Sequence, residues 1–379
     1  MQGMSDTAAP LRLLIATPLY PPEPGGPATY AKLLEEGLPG RGIEVSVVKF
    51  SDVRGYVKVV RHVVYGWRLF RLARRHDLVL ALDPVSVGLP AAVAALLSRT
   101  PFVVKVVGDY AWEQGRQRFG IRESLDEFVR TRRVPRSVAF LRFVQRWVAG
   151  RAKVVIVPSE YLKRIVQCWG VPEGKFAVVH NAVEFTKGGK VPEEVAALPA
   201  PLVVSVGRLV PWKGMQGLID AVAAVRKAGV SLSLVIVGNG PIRGSLESHA
   251  GRVLKGDCVF TGALAPTEVH AVLARADIFA LNTAYEGLSH VLIEALMAGL
   301  PIVTTDVGGN SEVLPESAGV LVEPGNEKGF IDALGRLAED KGLRARYAQA
   351  ALARAAAFSP DAMLSRTQAV LEAVHSQRA

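Results

Sequence analysis

The chain has 379 residues, half of them hydrophobic, and its 45 Lys and Arg against 35 Asp and Glu give a formal charge of +10. That length exceeds one domain of about 150 residues, and the apolar content excludes a disordered polypeptide or a disulfide-stapled mini-protein. Cys168 and Cys258 stand alone and the seven histidines form no HExxH or HxH cluster, so no bound metal is expected.

Taken in order, strands alternate with helical stretches. No basic n-region precedes the first apolar run, Leu11–Ala16, which is too short for a signal-peptide core. No stretch approaches the roughly 20 apolar residues of a membrane span, and a cytoplasmic location is expected. Leu11–Ala16 reads as a strand and Thr29–Leu38 as a helix, with a Pro/Gly-rich loop between them. Strands follow at Val45–Phe50 and Leu78–Leu82, flanking a basic amphipathic helix at Val57–Arg74. A helix at Val87–Leu97 leads to the strand Phe102–Val107; Val154–Val157, a helix from Ser159, and Phe176–Val179 close the series. Lys187–Pro201, with two glycines and three prolines, reads as a linker. A second series then begins, with strands at Leu202–Val206, Leu232–Val237, Val259–Thr261, Ile278–Leu281, Pro301–Thr304 and Val320–Val322. Helices are expected at Met215–Ala228, Thr267–Ala274, Ser289–Ala298 and Lys328–Ala338. Ser359-Pro360 sets off a last helix that could return to the first domain.

The expected organisation is a tail at residues 1–10, a Rossmann-like α/β domain at 11–186, a linker at 187–201, a second such domain at 202–355 and a C-terminal helix at 356–379. Between Ala111 and Lys153 lie eleven Arg and Lys against four Asp and Glu, interleaved with Trp112, Phe119, Phe128, Phe140, Phe143 and Trp147. Such a strip suits an anionic membrane surface or a phosphate-bearing substrate. No nucleic-acid motif accompanies it, and nucleic acid is not an expected partner.

In parallel sheets ligands sit beyond the carboxyl ends of the strands, and the chemistry-bearing residues fall there. Gly25-Gly26, before the first helix, could offer backbone N–H groups to an anion or simply shape a rigid loop. Neither a GxGxxG nor a GxxxxGK[ST] pattern is present, which removes the main support for a dinucleotide enzyme or a P-loop ATPase. After the first strand of the second series come Arg208 and, five residues on, Lys213, a planar fork and a point charge suited to a diphosphate. Gly238 and Gly262 end the next two strands and permit close ligand approach. Glu286 and Glu294 lie eight residues apart, about 80° around a helix axis, and can face one ligand; carboxylates suit neighbouring sugar hydroxyls. His290 between them is either structural or a ligand contact. Thr305–Asn310 looks like another backbone nest. Asp109 either faces the cleft or caps a helix.

These residues together resemble the retaining glycosyltransferases of the GT-B fold, family GT4. The resemblance runs from Leu11 to about Ala355, and the C-terminal domain is its specific part. It implies two Rossmann-like domains facing across a cleft. The paired-glutamate signature of the family, Glu-x7-Glu, matches Glu286 and Glu294, which places Glu294 on the ribose and Glu286 on the donor sugar, with the backbone of Gly287, Leu288 and Ser289 near its hydroxyls and phosphate. Arg208 and Lys213 correspond to the family's diphosphate-holding pair and Gly25-Gly26 to its N-terminal glycine loop. Asn181-Ala182-Val183-Glu184 is similar to the family's Asn-Gly-Val-Asp. Many members carry a histidine near the reacting sugar; here the strand ends in Val107-Gly108-Asp109, so Asp109 would take that place.

The implied reaction moves a sugar from a UDP- or GDP-sugar to an acceptor hydroxyl with retention, without metal or cofactor. The resemblance also implies a glycan or lipid-linked acceptor in bacterial surface polysaccharide or glycolipid synthesis, with peripheral contact to the inner membrane face. A nucleotide-sugar 2-epimerase and a non-catalytic nucleotide-sugar-binding subunit remain alternatives.

Overall fold

The computed structural model describes residues 10–23, 25–186 and 188–377. The expected N-terminal tail, apart from Pro10, lies outside the described residues, as does Lys187 at the head of the expected linker. The chain forms two compact units: one runs to Asn181 and resumes at Pro360, and the other is Ala182–Ser359.

The first unit is built on six parallel strands, β1 (Leu11–Thr17), β2 (Ile43–Lys49), β3 (Leu78–Ala81), β4 (Phe102–Lys105), β5 (Val154–Val157) and β6 (Phe176–Val178). They lie in the order β2-β1-β3-β4-β5-β6. β3 and β4 are buried at every position, as unbroken apolar runs covered on both faces should be. The crossovers are α1 (Gly26–Gly37), α2 (Lys58–Ala73), α3 (Gly88–Ser98), α4 (Tyr110–Arg118), α5 (Leu125–Arg130), α6 (Arg136–Arg151) and α7 (Glu160–Gln167).

α4, α5 and α6 occupy the basic section, for which the sequence pattern gave no elements. In α6 the buried positions include Val138, Arg142, Gln145 and Ala149, a helical i, i+4, i+7, i+11 stripe broken by two polar residues. Arg142 is 8% exposed, stacks 3.8 Å over the Phe128 ring and donates to the carbonyls of Phe128 and Thr131. A guanidinium used as a core residue conceals the helical period.

The second unit begins with α8 (Glu193–Ala196), followed by β7 (Leu202–Val206), α9 (Met215–Lys227), β8 (Ser233–Val237), α10 (Arg243–Val253), β9 (Cys258–Gly262) and α11 (Pro266–Arg275). β10 (Ile278–Leu281), α12 (His290–Met297), β11 (Ile302–Thr305), α13 (Asn310–Val313), β12 (Gly319–Val322), α14 (Glu327–Glu339) and α15 (Lys341–Ala355) complete it. Its strand order, β12-β11-β10-β7-β8-β9, reverses direction between β7 and β10, the switch point at which doubly wound sheets bind ligands.

The segment expected as a linker belongs to this unit. Val183, Val195 and Leu198 are buried in its core, and Thr186 N–H donates to His270 Nδ1 at 3.0 Å. The division therefore falls between Asn181 and Ala182. The last helix, α16 (Pro360–Ser376), packs in the first unit against α1. Tyr30 and Thr367 hydroxyls meet at 3.1 Å, and Gly37 lets Leu364 lie close, since a Cβ there would stand 2.4 Å from its Cδ1.

Candidate active site

The second unit gathers its sequence-predicted residues at the β7/β10 switch point through backbone locks. Beyond β7, Gly207 N–H donates to Val237 O at 2.9 Å and Leu209 N–H to Asn239 O at 3.0 Å; beyond β8, Gly238 N–H reaches Gly262 O at 2.8 Å. Gly238 has φ +139°, and a Cβ there would lie 1.9 Å from Gly207 O. The close approach that calls for glycine at 238 is thus to the neighbouring strand-end loop.

Pro211–Lys213 form a 3-10 turn that leads into Gly214, the N-cap of α9. Trp212 O accepts from Ala284 N–H at 2.8 Å and Thr283 Oγ1 at 3.2 Å, tying this turn to the loop after β10. The tie delivers Lys213 to Glu286: Lys213 Nζ donates to Glu286 Oε1, and Glu286 is only 9% exposed. From the other side, Gly309 N–H donates to Glu286 O at 3.1 Å. The third loop is held in turn by the buried Asn310, whose Nδ2 bonds Thr305 O at 3.0 Å and Thr304 Oγ1 at 3.2 Å. So the expected nest at Thr305–Asn310 spends the Gly309 donor on positioning Glu286.

Glu294 projects from α12, half-buried, and desolvation pushes its carboxyl up to about 7. No hydrogen-bond partner for that carboxyl stands among the described residues. Ser289, the N-cap of α12, is 2% exposed and its hydroxyl makes no hydrogen bond there. A buried hydroxyl thus stands unpaired at the head of the helix that carries Glu294, a costly arrangement without a ligand. Arg208 is exposed on the β7 loop, while Leu288 is buried in the core and can offer a ligand only its backbone. At the end of β9, Gly262 (φ +76°) lies beside Arg243, whose guanidinium donates to Phe260 O at 3.2 Å. The sequence reading missed Trp212, Thr283 and Arg243, whose bonds hold these loops; of the three, only the polar Thr283, just after β10, carried a sequence signal.

In the first unit Gly25 (φ +141°) is the N-cap of α1, and its carbonyl accepts from Ala28 and Thr29 N–H. Pro27 has no N–H, so the donors left at this loop are those of Gly25 and Gly26. Asp109 corrects an expectation. It caps α4, accepting from Trp112 N–H at 2.9 Å and from Trp169 Nε1 at 3.1 Å, and is 1% exposed. Burial raises its pKa against these bonds. Both oxygens are engaged inside the unit, which makes Asp109 a positioning residue.

Comparison with known proteins agrees with this architecture. The chain aligns with the crystal structure of Anabaena Alr3699/HepE in complex with UDP and glucose at a TM-score of 0.73 and 19% identity, covering 96% of this chain and 100% of that one. The fold is GT-B, two Rossmann-like domains. Residues 25–182 match the family described as glycosyl transferase 4-like domain and residues 191–354 that described as glycosyl transferases group 1; the chain is a GT4-like member of the glycosyltransferases. Similarity to the 2-deoxystreptamine glucosyltransferase of Streptomyces kanamyceticus is 27% over 52% of the chain and 54% of that protein, so the chain spans about half of that relative's length. With the GDP-mannose-dependent alpha-(1-6)-phosphatidylinositol monomannoside mannosyltransferase of Mycobacterium tuberculosis, identity is 28% over 87% of the chain and 90% of the relative.

Proposed function

We propose that the protein transfers a hexosyl group from a UDP- or GDP-sugar to an acceptor hydroxyl with retention, in the synthesis of a cell-surface glycan or glycolipid. The observation that carries this reading is the Lys213–Glu286 ion pair at the switch point, with the unpartnered Glu294 carboxyl on the helix that follows. Glu294, as a carboxylate, accepts from the ribose hydroxyls. Lys213 and Arg208 meet the diphosphate, and Lys213 in leaving Glu286 frees that carboxylate for the hydroxyls of the donor sugar. Charge growing on the departing diphosphate is then met by two cations already in place, each worth a few kcal/mol in such sites. The leaving phosphate oxygen helps take the acceptor proton on the same face, which preserves the anomeric configuration. The relatives, one a GDP-mannose-dependent phosphatidylinositol monomannoside mannosyltransferase and one bound to UDP and glucose, support the donor class and a lipid-linked acceptor.

Calorimetric titration with UDP-glucose and GDP-mannose, on wild type and the Glu294→Ala and Arg208→Ala variants, tests the reading. Binding of one donor, lost or weakened in both variants, is expected. Absence of binding to either nucleotide sugar overturns it. Transfer assayed by NMR then reads retention from the anomeric coupling of the product.

A further inference from the structure

At the side of the first unit, β2 and α2 enclose a groove of about 750 Å³, with Val47 and Val48 on the strand side and Arg68, Arg71, Arg74 and Arg75 on the helix side. Tyr65, fully buried, donates from its hydroxyl to Val48 O at 2.8 Å and fixes the helix against the strand. β2 is the edge of its sheet. From Ile43 to Lys49 it pairs with β1 on one side, and the strand order puts no strand on the other. An edge strand presents a row of N–H and C=O groups along its open side. Val45, Ser46 and Val47 along it are only half-buried.

The charge on the helix side is uncompensated. α2 contains no Asp or Glu, and Arg68, Arg71 and, just past the helix end, Arg75 follow the i, i+3, i+7 spacing of one helix face. Arg71 and Arg74 lie over the rings of Trp67 and Phe70, at 4.7 and 5.9 Å to the centroids. The ion pairs made by arginines among the described residues belong to Arg12, Arg41, Arg54, Arg226 and Arg243. Arg68, Arg71, Arg74 and Arg75 thus have no carboxylate partner there. The dipole of α2 acts only within its last turn, so it gives no reason for Arg68.

We infer that this groove docks an extended acidic segment of a partner protein, which adds as a strand to the open edge of β2 and sets its carboxylates against Arg68, Arg71, Arg74 and Arg75. Strand addition gives the segment's backbone its hydrogen bonds. Alternate side chains of the added strand then fall on the α2 side, where guanidiniums meet carboxylates as planar forks. A second copy of this chain pairing β2 with β2 would bring two sets of arginines together, and like charges oppose that contact. A free phosphate would engage the guanidiniums and leave the strand edge unpaired. The inference is independent of the transferase reading and concerns where the protein is held, not what it transfers.

The test is fluorescence anisotropy of a labelled, end-capped heptapeptide of alternating glutamate and valine, titrated with the full chain. Hydrogen exchange read by mass spectrometry on the same complex locates the contact. Saturable binding is expected, and amides of Ile43–Lys49 should exchange about tenfold or more slowly in the complex as ladder bonds form. The same peptide with lysine for glutamate should not bind. Arg71→Glu with Arg75→Glu should weaken binding about twentyfold, since two attractions become repulsions. Arg71→Gln with Arg75→Gln, a milder change, should weaken it about fivefold, the worth of two exposed pairs. Both side chains are exposed, and unchanged unfolding midpoints would verify that the variants fold. Absence of binding, binding undiminished by either pair of changes, or binding without protection of β2 overturns the inference. So does a chain that ignores the peptide and binds phosphatidylglycerol vesicles or tripolyphosphate through the same arginines.

Discussion

Lys213 Nζ donates to Glu286 Oε1 across two loops whose residues are 73 apart in sequence. The pair is mostly shielded from water, with 18% and 11% of the two side chains accessible. Breaking it by removing one partner leaves a half-buried charge, whereas a bound diphosphate would replace Glu286 as the partner of Lys213. Lys213→Ala and Glu286→Gln are therefore each expected to lower kcat by about a hundredfold or more, the cost of one preorganised electrostatic contact. The double variant should lose less than the product of the two single losses, because the residues act on one donor. Steady-state rates with a single nucleotide sugar would measure both effects.

Glu294 makes stability and donor binding respond to pH in opposite directions. Its carboxyl is held up at about 7 by desolvation, above the ordinary value of 4.5. The folded state therefore binds the proton more tightly than the unfolded chain, and this residue costs stability progressively as pH rises from the unfolded value through about 7. Glu294→Gln should raise the unfolding midpoint near about pH 8 by a few degrees, and the gain should fade toward about pH 4. Donor binding should run the other way in the wild type, strengthening as Glu294 ionises, and Glu294→Gln should flatten that profile. Thermal unfolding and calorimetry across this pH range check both signs.

Gly308 should tolerate no side chain. It sits at φ +60°, and a Cβ would stand 1.7 Å from Glu286 O. Gly308→Ala must displace the backbone that carries Glu286, and a cost of about 2 kcal/mol or more is expected, with loss of transfer. Gly244, early in α10 with open space around it, supplies the control: Gly244→Ala should stabilise by about 0.5–1 kcal/mol. Chemical denaturation of the two variants gives the comparison.

Asp109 should behave as a cap. Asn keeps an oxygen for Trp112 N–H but turns an NH2 toward Trp169 Nε1, so Asp109→Asn should fold with a loss of about 1 kcal/mol and retain activity within about threefold. Asp109→Ala leaves those donors unpaired and should lose about 1–3 kcal/mol of stability. A thousandfold loss of kcat in a well-folded Asp109→Asn protein would restore a direct role in the reaction.

The strand alternation, the absence of a dinucleotide glycine pattern and the Glu286/Glu294 spacing are local patterns, and the sequence alone determined them. β-runs such as Val203–Val206 and Phe279–Leu281 are buried on both faces, so each declares itself as an unbroken apolar segment. Strand ends then locate Arg208, Lys213 and Glu286 without further information. Other features needed tertiary contacts. Strand order put β7 beside β10 and so joined Lys213 to Glu286. Asp109 could be read as facing a ligand until Trp169, 60 residues away, was found on its second oxygen. Arg142 and Gln145 hid α6 because Arg142 donates to the Phe128 and Thr131 carbonyls and Gln145 Oε1 accepts from Ala111 N–H, groups that only folding brings near. The exposure on α2 was hidden for a related reason: α2 reads as an ordinary amphipathic helix, and nothing in its pattern says that Trp67 and Val63 stay uncovered once the unit is packed. Period and composition report what a residue prefers; whether its partner arrives is decided by chain segments far away in sequence.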